Sequence, residues 1–337
     1  YEEVKNGIKM CLYQGYPNLY MQLSKKTEWN YCPDWYRGID YPKERERGYN
    51  ATEDLLVPGY FEMPIKKGES IIFSAGVEPS EAKSTKEFVE KEIPRLDHRD
   101  SFYHCLVNAA HQYRVNKVGE TYILAGYPWF KPRARDTFIS MPGLTLAIGE
   151  DERFEAYMAT ASKAIYNFIR KEPMSVGIYE MEQPDTLLWA VWTIQQYAKH
   201  ASRKACYEKY GQLLKDIMVY IQSGKHPNLF IHENGLVYAN GRDQGITWMN
   251  SQSNGRPIVP RSGYIVEFNA LWYNALKFFE QLLSENEAPE NMALAGQAGE
   301  EAEKVAKSFK EVFLNEYGYL LDYVDGHMMD WSVRPNQ

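Results

Sequence analysis

Four blocks of the sequence combine residue types that can hold a sugar and act on it. The first is Ala125-Gly126-Tyr127-Pro128-Trp129-Phe130, followed by Arg133-Ala134-Arg135-Asp136-Thr137-Phe138. Rings such as Tyr127, Trp129 and Phe130 offer flat apolar faces to sugar C–H groups. A carboxylate beside an Arg fork, here Asp136 beside Arg135, suits vicinal hydroxyls, because each hydroxyl both donates and accepts. Asp136 is equally a candidate helix N-cap. The second block runs from Glu180 to Trp192 and contains Asp185 and Trp189. Pro184 in a first turn is an ordinary helix start, and Asp185 there could simply favour the helix dipole. The third is Gly245-Ile246-Thr247-Trp248-Met249-Asn250, at the end of a long loop. The fourth, Arg256 to Leu276, opens an apolar helix with Glu267 in its first turn and Asn274 seven residues on. Seven residues is close to two turns, so the two share a face. Such polar groups either look into a site or are buried with partners. Paired carboxylates among aromatic loops point to glycosidic-bond chemistry, in which one acid protonates the leaving oxygen and a second carboxylate activates water or attacks.

Other chemistries lack their signatures. There is no G-x-x-x-x-G-K-[ST] and no G-x-G-x-x-G for a phosphate cradle, and no G-x-S-x-G nucleophile elbow. The seven histidines form no H-E-x-x-H; His104 and His111 share a helix face, which is the ordinary placement of satisfied or surface histidines. Cys11, Cys32, Cys105 and Cys206 are far apart and form no CxxC pair, so neither a zinc ribbon nor a disulfide framework is expected. Metal and cofactor are expected to be none. Reduced thiols and the lack of a visible signal peptide favour a cytoplasmic protein.

Helices must present these blocks. Apolar periodicity predicts helices over roughly 136–148, 151–171, 184–200, 203–223, 264–283 and 298–314. Ser84-Thr85-Lys86-Glu87 reads as a capping box, and Phe102, Leu106, Ala109, Ala110 and Tyr113 repeat at helical spacing. Loops over 116–135, 172–184 and 224–262 are unusually long, and loops of that length are usually functional. A β-like piece covers 317–323. Paired helices with alternating short and long connections suggest an α/α toroid whose long loops gather on one face. Residues 1–80 read as β and loop: Asn18–Leu23 alternates weakly, Glu69–Gly76 is a short apolar strand, and Cys32 to Gly59 reads as a loop rich in Tyr, Pro, Arg and Gly. So few strands look like the end of a larger β-rich domain.

Composition agrees. The chain has 337 residues, 44% hydrophobic and 25% charged, within globular averages. Its net charge of −7 fits poorly with a nucleic-acid or anionic-membrane partner. No stretch reaches the ~18 apolar residues of a membrane helix. Aromatic content is 14%, from 26 Tyr, 14 Phe and 8 Trp, yet mean hydropathy is −0.53. Rings amid many polar residues suit a core plus a wet, aromatic-lined groove. The chain begins without Met, and a piece of a longer protein is expected.

Taken in order, these blocks resemble the glycogen debranching enzyme family, amylo-α-1,6-glucosidase. The resemblance is carried by Ala125–Phe130, Arg135–Phe138, Met141–Leu144, Asp185–Trp189, Thr247-Trp248-Met249, Glu267–Asn274 and Arg334-Pro335-Asn336-Gln337. Pro33–Arg37 and Pro58–Phe61 resemble the end of that family's bacterial N-terminal β domain. The resemblance implies a mainly α fold, an (α/α)6 toroid of the six-hairpin glycosidase type, here incomplete, over 81–337. Residues 1–80 would be the C-terminal part of the β-rich domain. It implies inverting hydrolysis of α-1,6-linked glucose in a branched α-glucan, glycogen or its limit dextrin. Arg135 and Asp136 would bind the terminal glucose, with Tyr127, Trp129, Asp185, Trp189, Trp248 and Trp272 lining the pocket. Two features depart from the family. It has Trp-Gly where this chain has Arg133-Ala134, and it usually has Thr-Trp-Met-Asp, with that Asp as general acid, where this chain has Asn250. An amide cannot supply the proton, so Asp243 or Glu267 becomes the alternative acid, or the chain is a weak enzyme or a glycan binder. The family's base, a Glu, would lie beyond residue 337.

Overall fold

The computed structural model describes residues 1–80, 87, 89–91, 99–127, 129–285 and 288–337. The expected capping box at Ser84 and the ring position Pro128 lie outside them. The chain divides into two compact units, Tyr1–His104 and Cys105–Gln337.

In the first unit, β1 (Glu2–Val4), β2 (Gly7–Met10), β3 (Leu19–Leu23) and β6 (Phe73–Gly76) form an antiparallel sheet in the order β1-β2-β3-β6. The stretch read as a loop is instead a long hairpin, β4 (Glu28–Asp40) with β5 (Thr52–Glu62), joined through the short helix α1 (Pro42–Glu46). The turn-forming residues that argued against strands mark bulges. The register shifts between Tyr31 and Asp34, around Pro33, and again between Tyr36 and Ile39, around Gly38 at φ 63°. A bulge leaves one residue out of the ladder, so a proline's missing donor costs nothing there. The Asp54 carboxylate accepts the Gly38 N–H at 2.8 Å and fixes the second bulge.

The second unit is mainly helical. After α2 (Phe102–Gln112) comes a hairpin, β7 (Arg114–Lys117) with β8 (Glu120–Ile123), inside the expected loop over 116–135. Then follow α3 (Ala134–Leu144), α4 (Asp151–Arg170), α5 (Thr186–His200) and α6 (Arg203–Gln222). Each matches a predicted periodic segment. Ser202 caps α6 by accepting the Ala205 N–H at 3.1 Å. Last come α7 (Val266–Ser284) and α8 (Pro289–Phe313), which pack against each other; α8 starts nine residues before its expected start, with Pro289 in its first turn.

The long 224–262 connection is not structureless. It contributes β9 (Phe230–Ile231), β10 (Val237–Ala239) and the small pair β11 (Gln252–Ser253) and β12 (Arg256–Pro257). With β13 (Gly263–Ile265), β14 (Tyr323–Asp325) and β15 (Met328–Met329), an antiparallel sheet forms in the order β15-β14-β13-β10-β9. The buried Asn269 side chain of α7 bonds to both the N–H and the carbonyl of Val237, so the helix is docked on β10 as a strand would be. One core runs through this unit, built from Phe138 and Met141 of α3, Phe154 of α4, Leu187 and Ile194 of α5, Leu214 of α6, Phe279 of α7 and Phe313 at the end of α8. Among the described residues no helix is long and apolar enough to cross a membrane.

Candidate functional site

Two buried charge clusters flank the segment 246–250. The first starts at α3. Its N-cap is Arg133, so Asp136 is not the cap: it lies in the first turn with its side chain exposed. One residue earlier, Arg135 is buried because the helix begins there with Ala134 and Phe138 facing the core. The Arg135 Nε and Nη2 donate to the two oxygens of Asp185 at 2.7 and 2.8 Å, a bidentate pair. Nη2 also donates to the Ile246 carbonyl at 2.9 Å and Nη1 to the Thr247 carbonyl at 3.2 Å. Asp185, 2% exposed, stands at the start of α5 and accepts the Trp189 indole N–H at 3.1 Å. The expected Arg135–Asp136 couple is thus an Arg135–Asp185 couple: consecutive helical residues point about 100° apart, whereas Asp185 comes in from another helix.

The second cluster gathers on the loops around the sheet. Arg261, 2% exposed, donates Nε to Asp322 Oδ2 at 2.8 Å and clasps Glu267 with Nη1 and Nη2. Asp322 is fully buried and also accepts from Arg334 Nη1 at 2.6 Å and Asn336 Nδ2 at 2.8 Å. The Asn336 carbonyl oxygen accepts the Trp248 indole N–H at 2.7 Å. Arg334 bonds Asp330 as well, at 3.0 Å. Burial pushes the Glu267 carboxyl above the usual carboxylate range, against the pull of Arg261. For Asp330 burial acts in the same direction, but bonds from Ser332 and Arg334 outweigh it and hold that carboxyl low.

Between the clusters, Trp248 is 53% exposed and Asn250 half-buried. Gly245 makes the turn possible, since a Cβ there would come within 2.8 Å of the Asn250 Cα. Tyr127 and Trp129 are exposed on their loop, Trp129 at 82%. Asp243 is exposed. Trp272 is not on a sugar-facing wall: it is fully buried, and its indole N–H donates to the Gly235 carbonyl at 3.2 Å. Asn274, across two turns from Glu267, exchanges amide bonds with Gln195 at 3.0 and 3.1 Å, so of the two only Glu267 belongs to the cluster. Sequence reasoning missed Arg261, Asp322 and Asn336 as site residues. The signal available was charge: Arg261 and Asp322 each sit in an apolar strand-like run, where an ion needs a partner. Among the described residues no group of three or more His, Cys, Asp or Glu could hold a metal ion.

Residues 88–337 match the family described as Amylo-alpha-1,6-glucosidase. The chain belongs to that family. Residues 1–72 match the family described as Glycogen debranching enzyme N terminal, so both parts of the chain carry the resemblance read from the motifs. Membership makes the 105–337 unit a glycoside-hydrolase domain of the amylo-alpha-1,6-glucosidase type. No curated protein matches the sequence. Among solved structures, a Streptococcus pneumoniae metal-independent alpha mannosidase, in a non-productive complex with alpha-1,6-mannobiose, is similar at a TM-score of 0.43 and 14% identity, over 73% of this chain and 68% of its own. A bacterial glucoamylase complexed with acarbose is similar at 0.45 and 13%, over 91% of this chain and 48% of its own. This chain therefore spans less than half of the glucoamylase's length.

Proposed function

We propose that the protein is a glycoside hydrolase of the debranching type, and that residues 105–337 belong to an (α/α)6 toroid and supply one wall of its glucose pocket. One observation carries the reading: the segment bearing the acid position is held from both sides by buried ions. Arg135 grips the Ile246 and Thr247 carbonyls, and Asn336, anchored on Asp322, holds the Trp248 indole. Preorganisation at this level is characteristic of a segment that must place a reacting group to within a fraction of an ångström. In this reading Trp248 and Trp189 present rings to the terminal glucose, Tyr127 and Trp129 border the entrance, and the Arg135–Asp185 couple shapes the floor, with Asp136 exposed beside it. A branched α-glucan is the substrate, acted on by inversion, with no cofactor and the base supplied from beyond residue 337. The full-length protein is expected to release glucose from a branched limit dextrin but not from linear maltooligosaccharides; no release from either would sink the reading.

Asn250 favours a second reading, a glycan binder of low or no activity. Glu267, with its raised carboxyl, is the alternative proton donor nearest in chemistry, yet both of its oxygens are engaged by Arg261. Asp243 is exposed to water, where nothing raises its proton affinity. Asn250→Asp separates the readings. A general acid contributes typically 10²–10⁴-fold, so a rate gain of that order shows a catalytic scaffold lacking only its acid. Saturable maltooligosaccharide binding without any gain shows a binder.

A further inference from the structure

The first unit holds a cleft that the proposed pocket does not use. It has a volume of about 760 Å³ and opens where the β1–β2 turn faces the base of the β4–β5 hairpin. That size is within the usual range for ligand sites of a few hundred to about a thousand Å³. Two rings form its apolar part: Trp29 of β4 and Phe61 of β5, paired across the hairpin with centroids 4.7 Å apart. The indole N–H of Trp29 is buried and has no partner among the described residues, so a donor at the cleft is unspent.

The remaining walls are polar. Glu3, Glu28 and Glu62 face the cleft, as do Lys5 and Lys26. Three carboxylates and two ammonium groups nearly cancel. A site for phosphate or another anion would carry an excess of cations, and a site for a cation an excess of carboxylates. A near-neutral mixture of acceptors and donors around an aromatic pair instead matches a ligand that is uncharged, donates and accepts at every few ångströms, and has apolar faces. Those are the properties of a sugar chain.

We propose that this cleft binds a neutral oligosaccharide, separately from the candidate pocket, so that the protein holds its polymer at two places. That the sugar is an α-glucan rests on the proposed function; the polyol chemistry of the cleft does not. Two sites on one chain raise effective concentration: a glucan captured at one is presented to the other without a second diffusional search.

The test titrates the full chain with maltoheptaose by calorimetry, for the wild type, Trp29→Ala and Trp248→Ala. Two binding steps are expected for the wild type. Trp29→Ala weakens one of them about tenfold or more, the scale of a lost aromatic contact, and leaves the other. Trp248→Ala leaves the Trp29-dependent step intact, so failure of the proposed function removes only the Trp248-dependent step. Because Trp29 also packs on Phe61, the exposed pair Lys26→Ala with Glu62→Gln is measured beside it and is expected to weaken the same step about fivefold, the scale of a net hydrogen bond. An isotherm unchanged in both variants overturns the proposal. So does a cleft that takes up inorganic phosphate in place of the sugar.

Discussion

At the residue scale, the site is a matter of which buried ions found partners. Arg135 is tied to a carboxylate fifty residues away in sequence, and that pair fixes two carbonyls of the acid-bearing segment. Removing one member of a buried pair strands the other, which costs about 3–5 kcal/mol. Asp185→Ala is therefore expected to lower unfolding stability by that amount, read from urea titration, and to abolish maltooligosaccharide binding at the candidate pocket. A loss below about 1 kcal/mol would show that the carbonyls alone satisfy Arg135, since a neutral hydrogen bond is worth no more than that. The motifs led to the residue types at this site but not to the pairing. Asp136 lies next to Arg135 in sequence, and helical geometry turns it to solvent. Asp322 and Asn336, which hold the opposite side, were without a visible partner until the sheet brought them to Arg261 and Trp248.

At the element scale, α3 shows how a neighbour repairs a local defect. Pro142 lies inside the helix and has no N–H, so the Phe138 carbonyl four residues back loses its intrahelical partner. The Thr193 hydroxyl of α5 donates to that carbonyl at 2.7 Å, in the fully buried interface of the two helices. Thr193→Val is expected to cost about 1–3 kcal/mol, the price of an orphaned buried acceptor. Adding Pro142→Ala restores a helical donor, so the double variant should recover most of the loss in a thermal melt; no recovery would point to packing instead. The α6–β9 connection makes a pH-dependent element. His226 is buried against Phe168 and Tyr220, its Nδ1 accepts the Asn228 N–H at 3.1 Å, and burial lowers its pKa from 6.5 to about 4. Below pH ~6.5 the unfolded chain takes up a proton here that the folded chain refuses until about pH 4. Stability is thus expected to be full above pH ~6.5 and to fall by on the order of 3 kcal/mol as pH drops to about 4. His226→Phe should flatten that part of the profile.

At the scale of the whole molecule, the two units differ in what holds them. Among the described residues, Ile8, Met10, Leu23 and Ala51 are the buried hydrophobic side chains of residues 1–104, whereas the helical unit has a continuous core. Both faces of the β4–β5 hairpin are largely open, and a two-stranded ribbon is marginal by itself. Native-state hydrogen exchange is expected to show β4 and β5 amides opening at lower urea than those of α5 and α7; a single shared transition would show that the units unfold as one. The sequence alone determined the helices of the second unit, since a 3.6-residue apolar stripe is a local property of the chain, and it determined the family through motifs spread over it. It also located the loops that carry the chemistry. It did not determine the β4–β5 hairpin, because Pro33, Gly38, Pro58 and Gly59 read as breakers until a partner strand turns two of those places into bulges. Nor did it decide that Trp272 is core while Trp248 is open to a ligand, or which acid each arginine takes. Those depend on which surfaces meet across a hundred residues, and burial is a property of the assembled fold, which forces every ion it encloses to find its counter-charge there.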